Sequence, residues 1–197
     1  MDGFKFRGGS DNGGDFIYQM YRRTPSGALQ LFDVDFNDYV HPPRGARGKF
    51  RLNGWSPHYQ TTGVYDGKET TTTRTRAEYQ ILKLPGNADL EGRLFSQQFP
   101  IPGSQKLGNP KSKLTQFISA LLNRPIVPDE PIDIIDFIGT EFVTSVTRDE
   151  NGDRIYCGIA WDVIDPTKTT LAPTVVAAAP LVAAGTDAND PFAEEDL

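Results

Sequence analysis

One cysteine, Cys157, and two histidines, His41 and His58, leave this chain poor in the residues that most enzymes use. A single thiol excludes an internal disulfide and suits a reducing compartment. In the strand-like run RIYCGIAWDVI, Cys157 reads as a small buried hydrophobe. With no Cys or His at metal-ligand spacing, the histidines, both beside prolines, read as exposed loop residues. There is no nucleophile elbow and no phosphate-cradling glycine loop with its lysine; Gly8, Gly9, Gly13 and Gly14 follow no strand. The pairs Asp33/Asp35 and Asp133/Asp136 have the ligand type for a divalent ion, but read better as solvated or capping carboxylates. These absences argue against an enzyme and call for no cofactor. No apolar run reaches the roughly 18 residues of a membrane helix, and MDGFKFRGGSDNGG lacks the apolar stretch of a secretory signal. A cytoplasmic protein without a membrane partner is expected.

What the chain does have is segregated charge. Residues 1–43 carry 4 basic and 6 acidic groups, residues 44–124 carry 13 and 5, and residues 125–197 carry 3 and 15. The net charge of −6 therefore hides a centre at +8 and a C-terminal part at −12. Such asymmetry points to a polyanionic partner for the centre and a regulatory or protein-binding role for the acidic end.

Periodicity divides the chain into an N-terminal extension (1–43), a core domain (44–166) and a linker with an acidic tail (167–197). The Gly- and Asp-rich start cannot bury enough apolar surface to order itself, FIYQMYRR suits an edge strand, and Pro42-Pro43 ends the extension. In GKFRLNGW, Phe50 and Leu52 alternate against Lys49, Arg51, Asn53 and Trp55, the period of a strand. SPHYQTTGVYDGKETTT reads as a long polar loop turning at Asp66-Gly67. TRTRAEYQILKL sets Arg74, Arg76, Glu78 and Gln80 opposite Thr75, Ala77, Tyr79 and Ile81, and EGRLFSQQF makes a third strand. KSKLTQFISALLNR then places Leu114, Phe117, Ile118, Leu121 and Leu122 on one helical stripe between Pro110 and Pro125. In IDIIDFIG, Asp133 or Asp136 can cap one turn. EFVTSVTR and DRIYCGIAWDVI pair across an Asn-Gly turn.

Three strands, one helix and two strands predict a mainly β fold, a five-stranded oligonucleotide/oligosaccharide-binding (OB) Greek-key barrel with its helix between strands three and four. A β-sandwich is the rival, though it leaves a helix at that position unexplained. From residue 167, Ala, Val, Pro and Thr without alternation predict a disordered linker ending in the acidic DPFAEEDL.

Single strands are held by cations that follow the phosphates and by aromatic planes that stack on bases. Lys49, Arg51 and Trp55 fall on one face of the first core strand, Arg74 and Arg76 on one face of the second, and Arg93, Phe95 and Phe99 on one face of the third. The loop aromatics Tyr59 and Tyr65 add flexible contacts. Each aromatic also has a plainer reading as core. No base-reading helix or zinc module is visible, so sequence-specific duplex recognition is not expected.

The whole plan resembles an OB-fold single-stranded-DNA-binding protein of the bacterial and phage replication type. Its tail carries the similarity most clearly: Asp190, Pro191, Phe192, Glu194, Glu195 and Asp196 match the acidic, Pro-Phe-containing tips through which such proteins recruit replication and repair enzymes. Phe192 is followed by AEEDL, a departure that a pocket gripping a terminal carboxylate would not accommodate. KSKLTQFISALLNR and IDIIDFIGTEF also resemble segments of phage replication proteins. The resemblance implies non-enzymatic binding and protection of single-stranded DNA. The alternative is a structural or interaction protein, a virion component or a phage inhibitor of a host complex, whose basic face is incidental.

Overall fold

The computed structural model describes residues 17–173 apart from 66, 102–106, 108, 128–129 and 152–153, and the acidic tail lies outside the described residues. In chain order the elements are β1 (Ile17–Arg23), β2 (Leu29–Asp35), β3 (Arg47–Trp55), β4 (Tyr59–Tyr65), β5 (Lys68–Lys83), β6 (Leu94–Pro100), α1 (Lys113–Leu122), β7 (Glu141–Asn151) and β8 (Arg154–Ile159). The fold is mainly β, with antiparallel strand pairs and one α-helix among the described residues.

β5, at 16 residues, is the spine. Its first half pairs with β4, and it then pairs with β6 from Arg74 on one edge and with β3 from Ala77 on the other. The alternation expected of it holds: Thr75, Ala77, Tyr79 and Ile81 are wholly buried. β3 then pairs with β7, and β7 with β8. β8 lies beside β6, where the Gln97 side chain spans the gap and its Oε1 accepts from the Ile159 amide at 3.0 Å. Gly158 permits this, since a Cβ there would stand 2.7 Å from the Gln97 side chain. The β1–β2 hairpin joins the outer edge of β3 through Tyr21 and Arg22, so residues 17–35 of the N-terminal extension belong to the same sheet.

Helix α1 covers the inner face. Ser112 caps its start by accepting from the Thr115 amide, and Asn123 ends it in the left-handed region at φ 52°. Leu114, Phe117, Ile118 and Leu121 are buried, and the Phe117 ring stacks on Phe99 at 5.5 Å and 10°. Asp133, not Asp136, caps the turn Ile134–Phe137 by accepting from the Ile135 amide.

Three expectations need correction. The Thr-rich segment read as a loop is the β4–β5 hairpin, with Gly67 at φ +71° in its turn. A run of β-branched threonines suits strands whose two faces are both wet, so no hydrophobic alternation marks it. The second correction concerns Trp55. Leu52 pairs with Tyr79 and Gly54 with the adjacent Glu78, which leaves Asn53 as the extra residue of a bulge. That one-residue slip turns Trp55 to the inner face, where it is wholly buried beside Phe99 at 5.9 Å. Third, packed chain continues past residue 166. Thr170 bridges Glu141 through paired backbone bonds, and Ala172, 2% exposed, donates its amide to Thr140 Oγ1 at 3.1 Å.

Trp55 therefore contributes by packing, although its Nε1 has no hydrogen-bond partner among the described residues. Trp55→Ala should cost about 3–5 kcal/mol in a urea titration. Trp55→Phe, which keeps a ring and removes the unsatisfied N–H, should cost less than about 1.5 kcal/mol. Near-wild-type stability in Trp55→Ala would contradict the bulge assignment.

Candidate nucleic-acid interface

The face of the sheet opposite α1 carries the polar members of β3 and β5. Lys49, Arg51 and Asn53 come from the first, Arg74, Arg76, Glu78 and Gln80 from the second. Strand alternation thus brings four of the expected cations to one side, and strand pairing sets Arg51 directly opposite Gln80.

These cations are engaged. Lys49 Nζ stands 2.6 Å from Glu141 Oε2, and Arg51 Nη2 stands 2.5 Å from Glu141 Oε1, with Nε at 3.1 Å from the same oxygen. The Lys49 ammonium, and after it Arg51, hold the Glu141 carboxyl below the usual range, outweighing partial burial. Arg74 donates through Nε to Thr61 Oγ1 at 2.9 Å. Arg76 donates through Nη1 to Ser96 Oγ at 2.8 Å and lies over the Tyr18 ring at 5.4 Å. Arg93 is exposed in the turn preceding β6 rather than in the strand. Tyr59 begins β4, opposite Arg74. Burial raises its phenol pKa, while Arg76 pulls it the other way.

Phe95 and Phe99 are wholly buried, as Trp55 is. Phe95 meets Tyr79 at 5.1 Å and Phe50 edge-on at 5.6 Å, while Phe99 packs on Phe117 and Trp55. A ring enclosed on both faces cannot stack on a base, so the aromatic half of the expected platform is core. Strand period in β6 places Phe95 and Phe99 correctly on one face; that face points inward.

The sequence reading missed a network around Glu78, which has no exposed surface. Arg22 grips its carboxylate with two bonds, Nε to Oε1 at 2.7 Å and Nη2 to Oε2 at 2.5 Å. Asn53 Nδ2 donates to Oε1, and Tyr39 Oη donates to Oε2 at 2.7 Å. Burial opposes charge on Arg22, and Glu78 overcomes it, so the guanidinium pKa stands above its ordinary value. Met20 and Val34 of the hairpin are also buried, outside the main core cluster. Together with Tyr18 over Arg76, these contacts lay the β1–β2 hairpin against the outer face at Arg76 and Glu78.

The remaining singled-out residues have local roles. Asp35 accepts from the Asn37 amide, and Asp33 from the Gln19 side chain. Cys157 is half-buried with Sγ 3.7 Å from His41 Nδ1, and burial raises its thiol pKa. No group of three or more metal-ligating side chains occurs among the described residues. Asp190, Pro191, Phe192, Glu194, Glu195 and Asp196 lie outside them. In comparisons with known proteins, no family model, curated protein or solved structure matches the chain.

Burial raises the phenols of Tyr39, Tyr59 and Tyr79, and the Glu78 charge raises Tyr39 further. All three stay protonated when folded at a pH where an unfolded tyrosine ionises. Their stabilisation is fully present below about pH 10 and is lost as pH rises beyond it. Stability should then fall by about 1.4 kcal/mol per pH unit for each such phenol. Absorbance at 295 nm during alkaline unfolding should show these phenols ionising together with loss of structure. Gradual ionisation of every tyrosine while the fold persists would refute the burial of this group.

Proposed function

We propose that this protein binds and protects single-stranded DNA without enzymatic activity, on an OB-type barrel, during phage replication or recombination in the cytoplasm of a bacterial host cell. The observation that supports the reading is the pairing order β6-β5-β3-β7-β8, with β8 lying beside β6 without a strand ladder among the described residues and α1 between β6 and β7 in the chain. Such an order suits a five-stranded Greek-key barrel whose helix follows the third strand. The β6–β8 seam, spanned by the Gln97 side chain and not by a strand ladder, is where such a barrel would close. On this reading the β1–β2 hairpin is an addition to the barrel, and the β4–β5 hairpin is its enlarged first loop.

Lys49, Arg51, Arg74, Arg76 and Arg93 supply the phosphate contacts. Tyr59 and Tyr18 are the rings beside those arginines, in place of Trp55, Phe95 and Phe99. A carboxylate-paired arginine can exchange its partner for a phosphate, because both present two oxygens to the guanidinium fork. The acidic tail, with Phe192 among its carboxylates, recruits replication or repair proteins and competes with the strand for the basic face.

One observation favours the alternative of a structural or interaction protein. Lys49 and Arg51 are already paired with Glu141, and the N-terminal hairpin lies against Arg76. A domain that docks on protein needs no free cations. Titration of labelled oligo-dT at several salt concentrations separates the two. Three to five contacts at about −0.7 each give a log–log slope of roughly −2 to −3.5, with weaker binding to duplex. Neither affinity nor slope is expected of the alternative.

The tail is tested by truncation after residue 173, which spares the packed Thr170 and Ala172. Deleting 174–197 should raise affinity for oligo-dT, most at low salt where screening is weakest. Phe192→Ala should abolish partner recruitment and leave that affinity unchanged. Equal affinity in the truncated and full chains at low salt would remove the competition.

A further inference from the structure

Glu141 is placed by its backbone. It faces Arg51 in the β3–β7 ladder, and its amide and carbonyl both bond Thr170 on the other side. Phe142 next to it is wholly buried, so the Glu141 side chain is committed to the outer face. There its two oxygens divide between two cations, Oε2 to Lys49 and Oε1 to Arg51. Gln80 Oε1 accepts weakly from Arg51 Nη1 at 3.5 Å. Lys49 and Arg51 remain 42% and 41% exposed at the side chain and Glu141 22%, so all three are within reach of a ligand in solvent.

A phosphodiester offers the same two-oxygen, one-charge pattern as this carboxylate. We infer that Glu141 is an internal phosphate mimic, a specificity-determining residue that occupies the Lys49–Arg51 site and must be displaced by each strand that binds. This inference rests on the single-strand-binding reading and adds to it the residue that limits affinity. Only a ligand that engages both cations with its own paired oxygens regains what the displaced pair loses. A singly contacting anion does not. The site therefore discriminates for a phosphate backbone held in register along β3 and against dispersed negative charge. Glu141 touches the ligand only by repulsion, and its effect runs through Lys49 and Arg51.

The test uses the full chain and labelled oligo-dT, comparing Glu141→Gln and Glu141→Thr with wild type and with Glu130→Gln. Gln keeps an acceptor for the two cations; Thr suits a strand, so a packing defect in one replacement is separable from the other. Glu130→Gln removes one charge from the Arg124 pair and controls for net charge alone. Losing two exposed pairs should tighten binding at low salt by about three- to tenfold in both Glu141 variants. The salt slope should steepen by about 0.7 for each cation set free. Glu130→Gln should match wild type. Wild-type binding with unchanged affinity and slope in both Glu141 variants overturns this inference alone. So does an equal gain in Glu130→Gln, or weaker binding by Glu141 variants that melt like wild type. Failure of every protein to bind oligo-dT overturns the inference and the reading beneath it together.

Discussion

A carboxylate removed from water must have its oxygens satisfied from all sides, and Glu78 draws its partners from three separate stretches of chain. Arg22 comes from β1, Tyr39 from the segment after β2, and Asn53 from the bulge in β3. Loss of one partner would leave a buried charge partly uncompensated, a defect worth about 3–5 kcal/mol when the charge is fully enclosed. Arg22, with its side chain 23% exposed, belongs toward the lower end of that range. The same bulge that aims Asn53 at Glu78 turns Trp55 into the core. One extra residue in β3 thus sets both the polar network outside the sheet and part of the aromatic packing inside it.

Packing on the two faces follows different rules. Inside, Phe50, Trp55, Tyr79, Phe95, Phe99, Phe117 and Phe142 meet one another at ring distances of 5.1–6.3 Å, and area burial dominates. Outside, specificity rests on paired charges and on the hairpin that Arg22 and Tyr18 tie down. A basic sequence segment is therefore not the same as a surface of free cations. Lys49 and Arg51 count as two positive charges in the sequence, but with Glu141 between them they present a net charge of one.

Short-range pattern was legible where it controls structure by itself. The β5 alternation, the apolar stripe of α1, the restriction of the turn cap to Asp133 or Asp136 and the β7–β8 pairing all follow from spacing within a dozen residues. Trp55 was misread because strict period two was carried through Gly54, where an isolated glycine in a strand is itself a sign of a bulge. The β4 strand was hidden because its threonines do not alternate in polarity. Glu78 and Glu141 were missed for a different reason: their partners lie 56 and 90 residues away in sequence. Alternation from the buried Phe142 puts Glu141 on the outer face, but only strand order shows that Lys49 and Arg51 lie beside it.

The proposed reception of a single strand on the outer face of β3 and β5 with the β4–β5 hairpin is read most directly by hydrogen–deuterium exchange of the full chain with and without oligo-dT. If the strand lies there, exchange slows in the peptides spanning 47–55 and 59–76, with α1 unchanged. Protection confined to α1 and β8, or none at saturating oligo-dT, would contradict it.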